Sequence, residues 1–240
     1  SHLDRSIANF QIVLDDDPVI DNMLFVAIGK IKLGDYTGNR HFPNLDDPLS
    51  AHDHYTESLV LIRRAEGIDS ENARVQRYLG LIYERFGTVQ EQLGRVSESR
   101  DSYRQSLSFR ERLWRTDPGD MTLYRDAGIA HEKVGLNYQD DGDVESALEE
   151  LTVAHSYYTD IVDRDPTNAN ARITLAVSEM QLGALRYNEN APHFDDIEGS
   201  VRHYRRARAI LREVHKIDTS NVRTQSLIDE TDAVLARLTP

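Results

Sequence analysis

The sequence predicts an all-α protein made of repeated antiparallel helix hairpins, about ten helices in all. Three observations carry this expectation. First, a shift of 48 residues takes Gly80, Gly87 and Gly94 onto Gly128, Gly135 and Gly142, and takes Asp117-Pro118 onto Asp165-Pro166. Self-similarity at a fixed period of this size marks a repeat array, a solenoid. Second, the small residues stand seven apart, and seven residues bring a helix to within about 20° of two full turns, so Gly80 and Gly87 share one face. A glycine inside a helix costs about 1 kcal/mol relative to alanine. A neighbouring helix that must approach closely along that face offsets the cost. Third, Asp-Pro closes each of these units, because the residue before proline avoids the helical region and proline cannot continue the hydrogen-bond ladder.

In chain order, residues 1–17 read as the second helix of a hairpin whose first helix is missing. Leu3, Ile7, Phe10, Ile12 and Val13 have helical spacing, and the segment ends at Asp17-Pro18. A first full repeat is expected over 21–72, with Val26, Ala27 and Gly34 where the next repeat has Leu79, Gly80 and Gly87. The repeats 73–120 and 121–169 are the regular ones, each turning at a glycine, Gly94 or Gly142. A fourth repeat is expected over 170–221. At a shift of 149, Pro43 falls on Pro192, Asp46-Asp47 on Asp195-Asp196, and His54-Tyr55 on His203-Tyr204. The first and fourth repeats therefore share an enlarged acidic loop between their helices, over 35–50 and 184–199. Residues 222–240 read as a capping helix. Short connections make consecutive helices antiparallel, and Asn72, Asp120 and Asn168 stand ready as N-caps. The whole chain is expected to form one repeat domain, a piece of a longer protein.

Composition narrows the functional classes. The chain is 39% hydrophobic and 29% charged, the balance of a soluble helical protein. It contains no cysteine, which excludes a disulfide framework and thiolate zinc sites and fits a cytoplasmic location. The net charge of -13 opposes non-specific nucleic-acid binding. No apolar run approaches a membrane span, and no secretion leader is visible.

The repeat positions resemble the tetratricopeptide repeat, whose consensus reads W-x2-L-G-x2-Y, then A-x3-F, then P. The second unit has Gln76-x2-Leu79-Gly80-x2-Tyr83, Ser99-x3-Tyr103 and Pro118. The third has Tyr124-x2-Ala127-Gly128-x2-His131, Ala147-x3-Leu151 and Pro166. The outer units depart further, with Ser70 and Thr219 in place of the closing proline. The period exceeds that family's value of about 34 residues by about 14, or about seven per helix, and a seven-residue addition preserves the packed face. Lengthened repeats of this kind resemble those of large bacterial signalling proteins, often C-terminal to serine/threonine kinase domains. The resemblance implies a right-handed superhelix and a non-enzymatic scaffold that binds a protein or peptide. The alternative it implies is the regulatory or sensor arm of such a kinase or of another multidomain enzyme.

In that family the first helix of each hairpin lines the concave surface. Carried onto this chain, the resemblance assigns partner binding to Arg74, Arg77, Leu81, Glu84 and Arg85, then Arg125, Ile129, Glu132 and Lys133, then Ile173, Val177, Met180 and Gln181. Such a face is basic in its middle and apolar toward the C-terminal end, which suits a peptide with acidic residues beside a hydrophobic anchor. A solvated face laced with Glu–Arg pairs has the same composition. The paired asparagines of a carboxylate clamp are missing. Arg202, Arg205, Arg206, Arg208, Arg212 and Lys216 make one later helix strongly basic, and without interleaved aromatic residues it reads as a solvated outer face. His41, His52, His54, Asp46 and Asp47 fall loosely together, as do His193, Asp195 and Asp196, but no pair has the two-histidine zinc spacing. No metal, cofactor or nucleic acid is expected. No nucleophile elbow, phosphate loop or kinase catalytic loop is present, so no catalytic residues are assigned.

Overall fold

The computed structural model describes residues 2–239. Side chains before Gln11 are described only at Arg5 and Asn9. Among the described residues every regular element is a helix, ten in number. They fall into two compact units, Ser1–Pro118 and Gly119–Pro240, and the boundary lies in the Asp117-Pro118-Gly119-Asp120 turn. The first unit holds α1 (His2–Asp16), α2 (Ile20–Gly38), α3 (Pro48–Ile68), α4 (Ala73–Gln92) and α5 (Val96–Thr116). The second holds α6 (Met121–Asp140), α7 (Val144–Arg164), α8 (Ala169–Arg186), α9 (Ile197–Ile217) and α10 (Val222–Leu238). In each unit successive helices pack on one another, most extensively within the hairpins α2–α3, α4–α5, α6–α7 and α8–α9. The fold is the expected all-α helical-repeat solenoid class.

The glycine stripe explains the hairpins. A Cβ built on Gly34 would lie 2.3 Å from Tyr55 Cε1, and on Gly87 2.5 Å from Tyr103 Cδ1. On Gly135 it would lie 2.8 Å from Leu151 Cγ, and on Gly183 2.9 Å from Tyr204 Cδ2. These glycines occupy one repeat position, and in every hairpin a large side chain of the second helix rests on the bare backbone there. Hydroxyls fasten the same seam in the first unit: Ser58 Oγ donates to the Ala27 carbonyl at 3.0 Å, Ser99 Oγ to Gly87 at 2.9 Å and Ser106 Oγ to Gly80 at 2.7 Å.

Helix ends follow local chemistry. Asn72, Asp120, Asn168 and Asn221 accept from backbone N–H groups of the first turns of α4, α6, α8 and α10. Asp69, Asp165 and Asp218 each accept the N–H two residues onward at 3.1 Å. This side-chain turn is the same with or without a proline, so Ser70 and Thr219 replace proline without loss of the stop. Gly94 (φ 71°) and Gly142 (φ 84°) close α4 and α6 in the left-handed region, as helix-terminating glycines do.

Enlarged loops occupy the same place in the outer hairpins, over 39–47 and 187–196. They are one structure built twice: Leu45 N–H donates to the Tyr36 carbonyl and Phe194 N–H to Leu185, while Asp47 donates to Thr37 and Asp196 to Arg186. Asp46 (φ 60°) and Asp195 (φ 57°) are the matching left-handed residues. The core of the first unit centres on Val26, Tyr55, Ile62, Leu79 and Ile82, and that of the second includes Ala176, Tyr204, Ala207, Leu211 and Ile228. In α1, Leu14 is buried while Ile12 and Val13 are exposed; the side chains of Leu3, Ile7 and Phe10 lie outside the described residues.

Candidate functional site

On α4 the assigned residues divide. Arg74 and Arg77 are exposed, and Arg74 reaches back to Asp21 of α2 at 2.5 Å. Leu81 is half-buried against the first core. Glu84 and Arg85 are drawn into a network. Arg85 Nε lies 2.8 Å from Asp35 Oδ1 and its guanidinium stacks 4.8 Å from the Phe42 ring, while Glu84 takes Arg85 and Arg110. Tyr55 donates to the same Asp35 carboxylate at 2.7 Å. Burial raises Asp35 above its ordinary value, against the lowering pull of Arg85. Burial together with Asp35 raises Tyr55. Arg85 is thus committed to Asp35 and to the loop residue Phe42, and Glu84 to Arg85 and to Arg110 of α5.

In the second unit the face is more continuous. Gln181 Nε2 donates to Glu132 Oε1 at 2.6 Å, which joins two assigned residues and sets α6 beside α8. Tyr158 also donates to Glu132. Arg125 is exposed beside Asp126 and lines a cleft of about 140 Å³ with Tyr158, Ile161, Asn168 and Thr174. Ile129 and Lys133 are half-buried. Ile173 and Met180 are buried, Ile173 in the core under α9 and Met180 against Thr231 of α10. Val177, Met180 and Gln181 edge a second cleft of about 230 Å³ with Ala184, Tyr204, Leu227 and Glu230.

The basic helix α9 is laced with ion pairs: Arg202 to Glu198 at 2.8 Å, Arg208 and Arg212 to Asp232 at 3.1 and 2.9 Å, and Lys216 to Glu213 at 2.6 Å. His52 meets Phe86 edge-on at 5.1 Å, and His193 accepts the Asp195 N–H at 2.9 Å. Among the described residues no three His, Asp or Glu side chains converge as metal ligands do. No described helix is long and apolar enough to cross a membrane.

Two clusters escaped the sequence reading. One is the Asp35–Tyr55–Arg85–Phe42 network. The other joins three helices: His203 Nδ1 lies 2.6 Å from Glu179 Oε2, and His155 Nε2 lies 3.7 Å from Glu179 Oε1, with Glu179 5% exposed. The members stand more than 20 positions apart, so no local pattern announces them. The shift of 149 did carry one usable signal, since it places Ala184, Ala191 and Val234 on Asp35, Phe42 and Arg85.

These features define a helical-repeat protein whose first helices leave a partly open face and whose chemistry-bearing residues are mostly paired with one another. No protein-family model matches the chain, and no curated protein matches it. Among solved structures the chain is similar to BtubC from P. vanneervenii, with 15% identity, 99% of this chain and 89% of that chain covered, and a TM-score of 0.55. PilF of Pseudomonas aeruginosa is similar at 14% identity over 100% of this chain and 85% of that one, with a TM-score of 0.37. The de novo designed helical repeat protein DHR64 is similar at 10% identity over 99% and 93%, with a TM-score of 0.33. The likeness to BtubC is one of fold alone.

Proposed function

We propose that this chain is a non-enzymatic interaction scaffold that binds a protein or peptide segment along its first-helix faces. The observation that carries the reading is the Glu132–Gln181 hydrogen bond, which sets α6 beside α8 with Arg125, Val177 and Gln181 along the open edge. A rigid stack of this kind presents side chains at fixed spacing, so little ordering of the receptor accompanies binding. In the second unit Arg125 and Lys133 on α6 favour acidic groups on the partner, and the cleft at Val177 and Gln181 favours an apolar anchor; in the first unit, taken by itself, Arg74 and Arg77 on α4 offer charge of the same sign.

The test is a peptide array varied in acidic and apolar content, probed with the wild-type chain and with Arg77→Glu/Arg125→Glu/Lys133→Glu. Preferential capture of acidic–apolar peptides by the wild type, lost in a variant with unchanged circular dichroism, supports the reading. Identical array patterns for the two proteins place binding elsewhere.

A further inference from the structure

The duplicated loop exposes a difference between the two units. In the first, the space between loop and following helix is filled by the chain itself. The Phe42 ring lies beneath the Arg85 guanidinium, Asp35 anchors that guanidinium, and Asn39 Nδ2 and Tyr55 OH complete the floor at 3.1 Å. Arg40 pairs with Glu91, and its N–H donates to Gln92 Oε1 at 3.1 Å, tying the loop to α4. In the second unit the backbone of the loop is the same, but the plug is gone. Ala191 replaces Phe42, Val234 replaces Arg85, Ala184 replaces Asp35, and Glu189 replaces Arg40. Among the described residues no hydrogen bond or ion pair joins this loop to α10.

What remains is a cavity of about 300 Å³ between the loop and α10, at the lower end of the range of about 300–1,000 Å³ for ligand pockets. Tyr204, the counterpart of Tyr55, lines it while only 6% exposed. Its hydroxyl makes no hydrogen bond among the described residues, whereas Tyr55 is served on both sides. Glu189, Glu230 and Arg237 stand around the opening, none of them ion-paired among the described residues. Two carboxylates against one guanidinium leave a negative surplus that suits a cation.

We propose that this cavity receives an aromatic–arginine side-chain pair from a partner peptide, the ring in the space Phe42 takes in the first unit and the guanidinium between that ring, the Tyr204 hydroxyl and the Glu189 and Glu230 carboxylates. Arginine fits better than lysine because its planar fork stacks on a ring and spreads its donors toward both carboxylates. A tyrosine hydroxyl accepts as well as donates, so it can take a guanidinium N–H. This subsite adjoins the apolar end of the acidic-peptide face, sharing Ala184, Tyr204 and Glu230 with the cleft at Val177 and Gln181, and has the opposite polarity.

The experiment titrates the chain with N-acetyl-Phe-Arg-amide, N-acetyl-Phe-Glu-amide and N-acetyl-Ala-Arg-amide, followed by NMR shifts at Tyr204, Ala191 and Val234. The Phe-Arg probe should move these resonances at a concentration at least about tenfold lower than either control. Ala191→Phe, which rebuilds the plug, should weaken that binding by about tenfold or more. Tyr204→Phe, which keeps the packed ring and removes only the hydroxyl, should weaken it several-fold. Equal binding of all three probes, no shifts at saturating probe, or shifts remote from the cavity overturn the proposal. Charge reversal at Arg77, Arg125 and Lys133 should leave this titration unchanged, so the failure of one site is separable from that of the other.

Discussion

The Tyr103 ring meets the α4 backbone at Gly87, so closely that a Cβ there would stand 2.5 Å from the ring's Cδ1 and Cε1. Tyr103 is 1% exposed and has no room to retreat. Gly87→Ala gains helix propensity of about 1 kcal/mol but forces the ring and α5 outward. Overpacking should win, with a net loss of about 1–3 kcal/mol. Gly67 of α3 is the control, since nothing lies within 4 Å of a Cβ built there. Gly67→Ala should gain about 0.5–1 kcal/mol. Denaturant midpoints of the two variants moving in the same direction would contradict the close-approach account.

The seam hydroxyls allow a sharper test. Ser58 and Ser106 hold one repeat position and donate across their hairpins to helix carbonyls. Ala154 and Ala207 hold it in the second unit, both fully packed. The site therefore accommodates alanine without a void, and Ser106→Ala removes little besides the hydrogen bond to Gly80. Its cost should be about 1 kcal/mol. A loss well above that range in urea unfolding would mean the hydroxyl also supports neighbouring groups.

The hairpins were legible because their determinants are local and periodic. Gly80 and Gly87 lie seven apart on one helix, and Asp117-Pro118 stops a helix by backbone sterics alone. The capping residues Asn72, Asp120 and Asn168 were legible for the same reason. The candidate site was less so. Spacing from Gly80 places Glu84 and Arg85 on an open face, but spacing cannot show that Asp35 and Phe42, more than 40 positions earlier, return to claim Arg85. Ile173 and Met180 share a periodic stripe with Val177, yet packing of α9 and α10 decides that the first two are buried. Such outcomes depend on which helix is a neighbour, and the sequence states that only through the equivalence of repeats.

The enlarged loops predict a matched response. Asp46 and Asp195 adopt left-handed conformations at φ 60° and 57°, which cost an ordinary L-residue about 1–2 kcal/mol and aspartate somewhat less. Both side chains are exposed, and their N–H groups are held by Asn44 at 2.6 Å and His193 at 2.9 Å. Asp46→Gly and Asp195→Gly should each raise stability by a few tenths to about 1 kcal/mol, whereas valine at either position should lower it by about 1–2 kcal/mol. Calorimetric melting of the four variants checks the pairing, and a glycine variant that melts lower than wild type would show that the aspartate side chain is needed.

The junction of α7, α8 and α9 predicts a pH response with a definite sign. His155 is held by Ser178 Oγ at Nδ1, 2.8 Å away, and faces Glu179 from α8 and His203 and Arg206 from α9. Burial pushes its pKa below the ordinary imidazole value, and His203 and Arg206 add to the lowering while Glu179 opposes it. A base whose folded pKa is depressed binds its proton more readily when unfolded. Its stabilising contribution is therefore complete above about pH 6.5, the unfolded value, and is lost as pH falls through the folded value. His52 in the first unit is lowered by burial and by Arg95, so it contributes with the same sign. The urea midpoint should fall between pH 7.5 and pH 5.0, and His155→Gln should make that fall shallower without abolishing it. The glutamine keeps a hydrogen-bonding group near Ser178 but cannot titrate. A His155→Gln profile parallel to the wild type would remove His155 from the pH response.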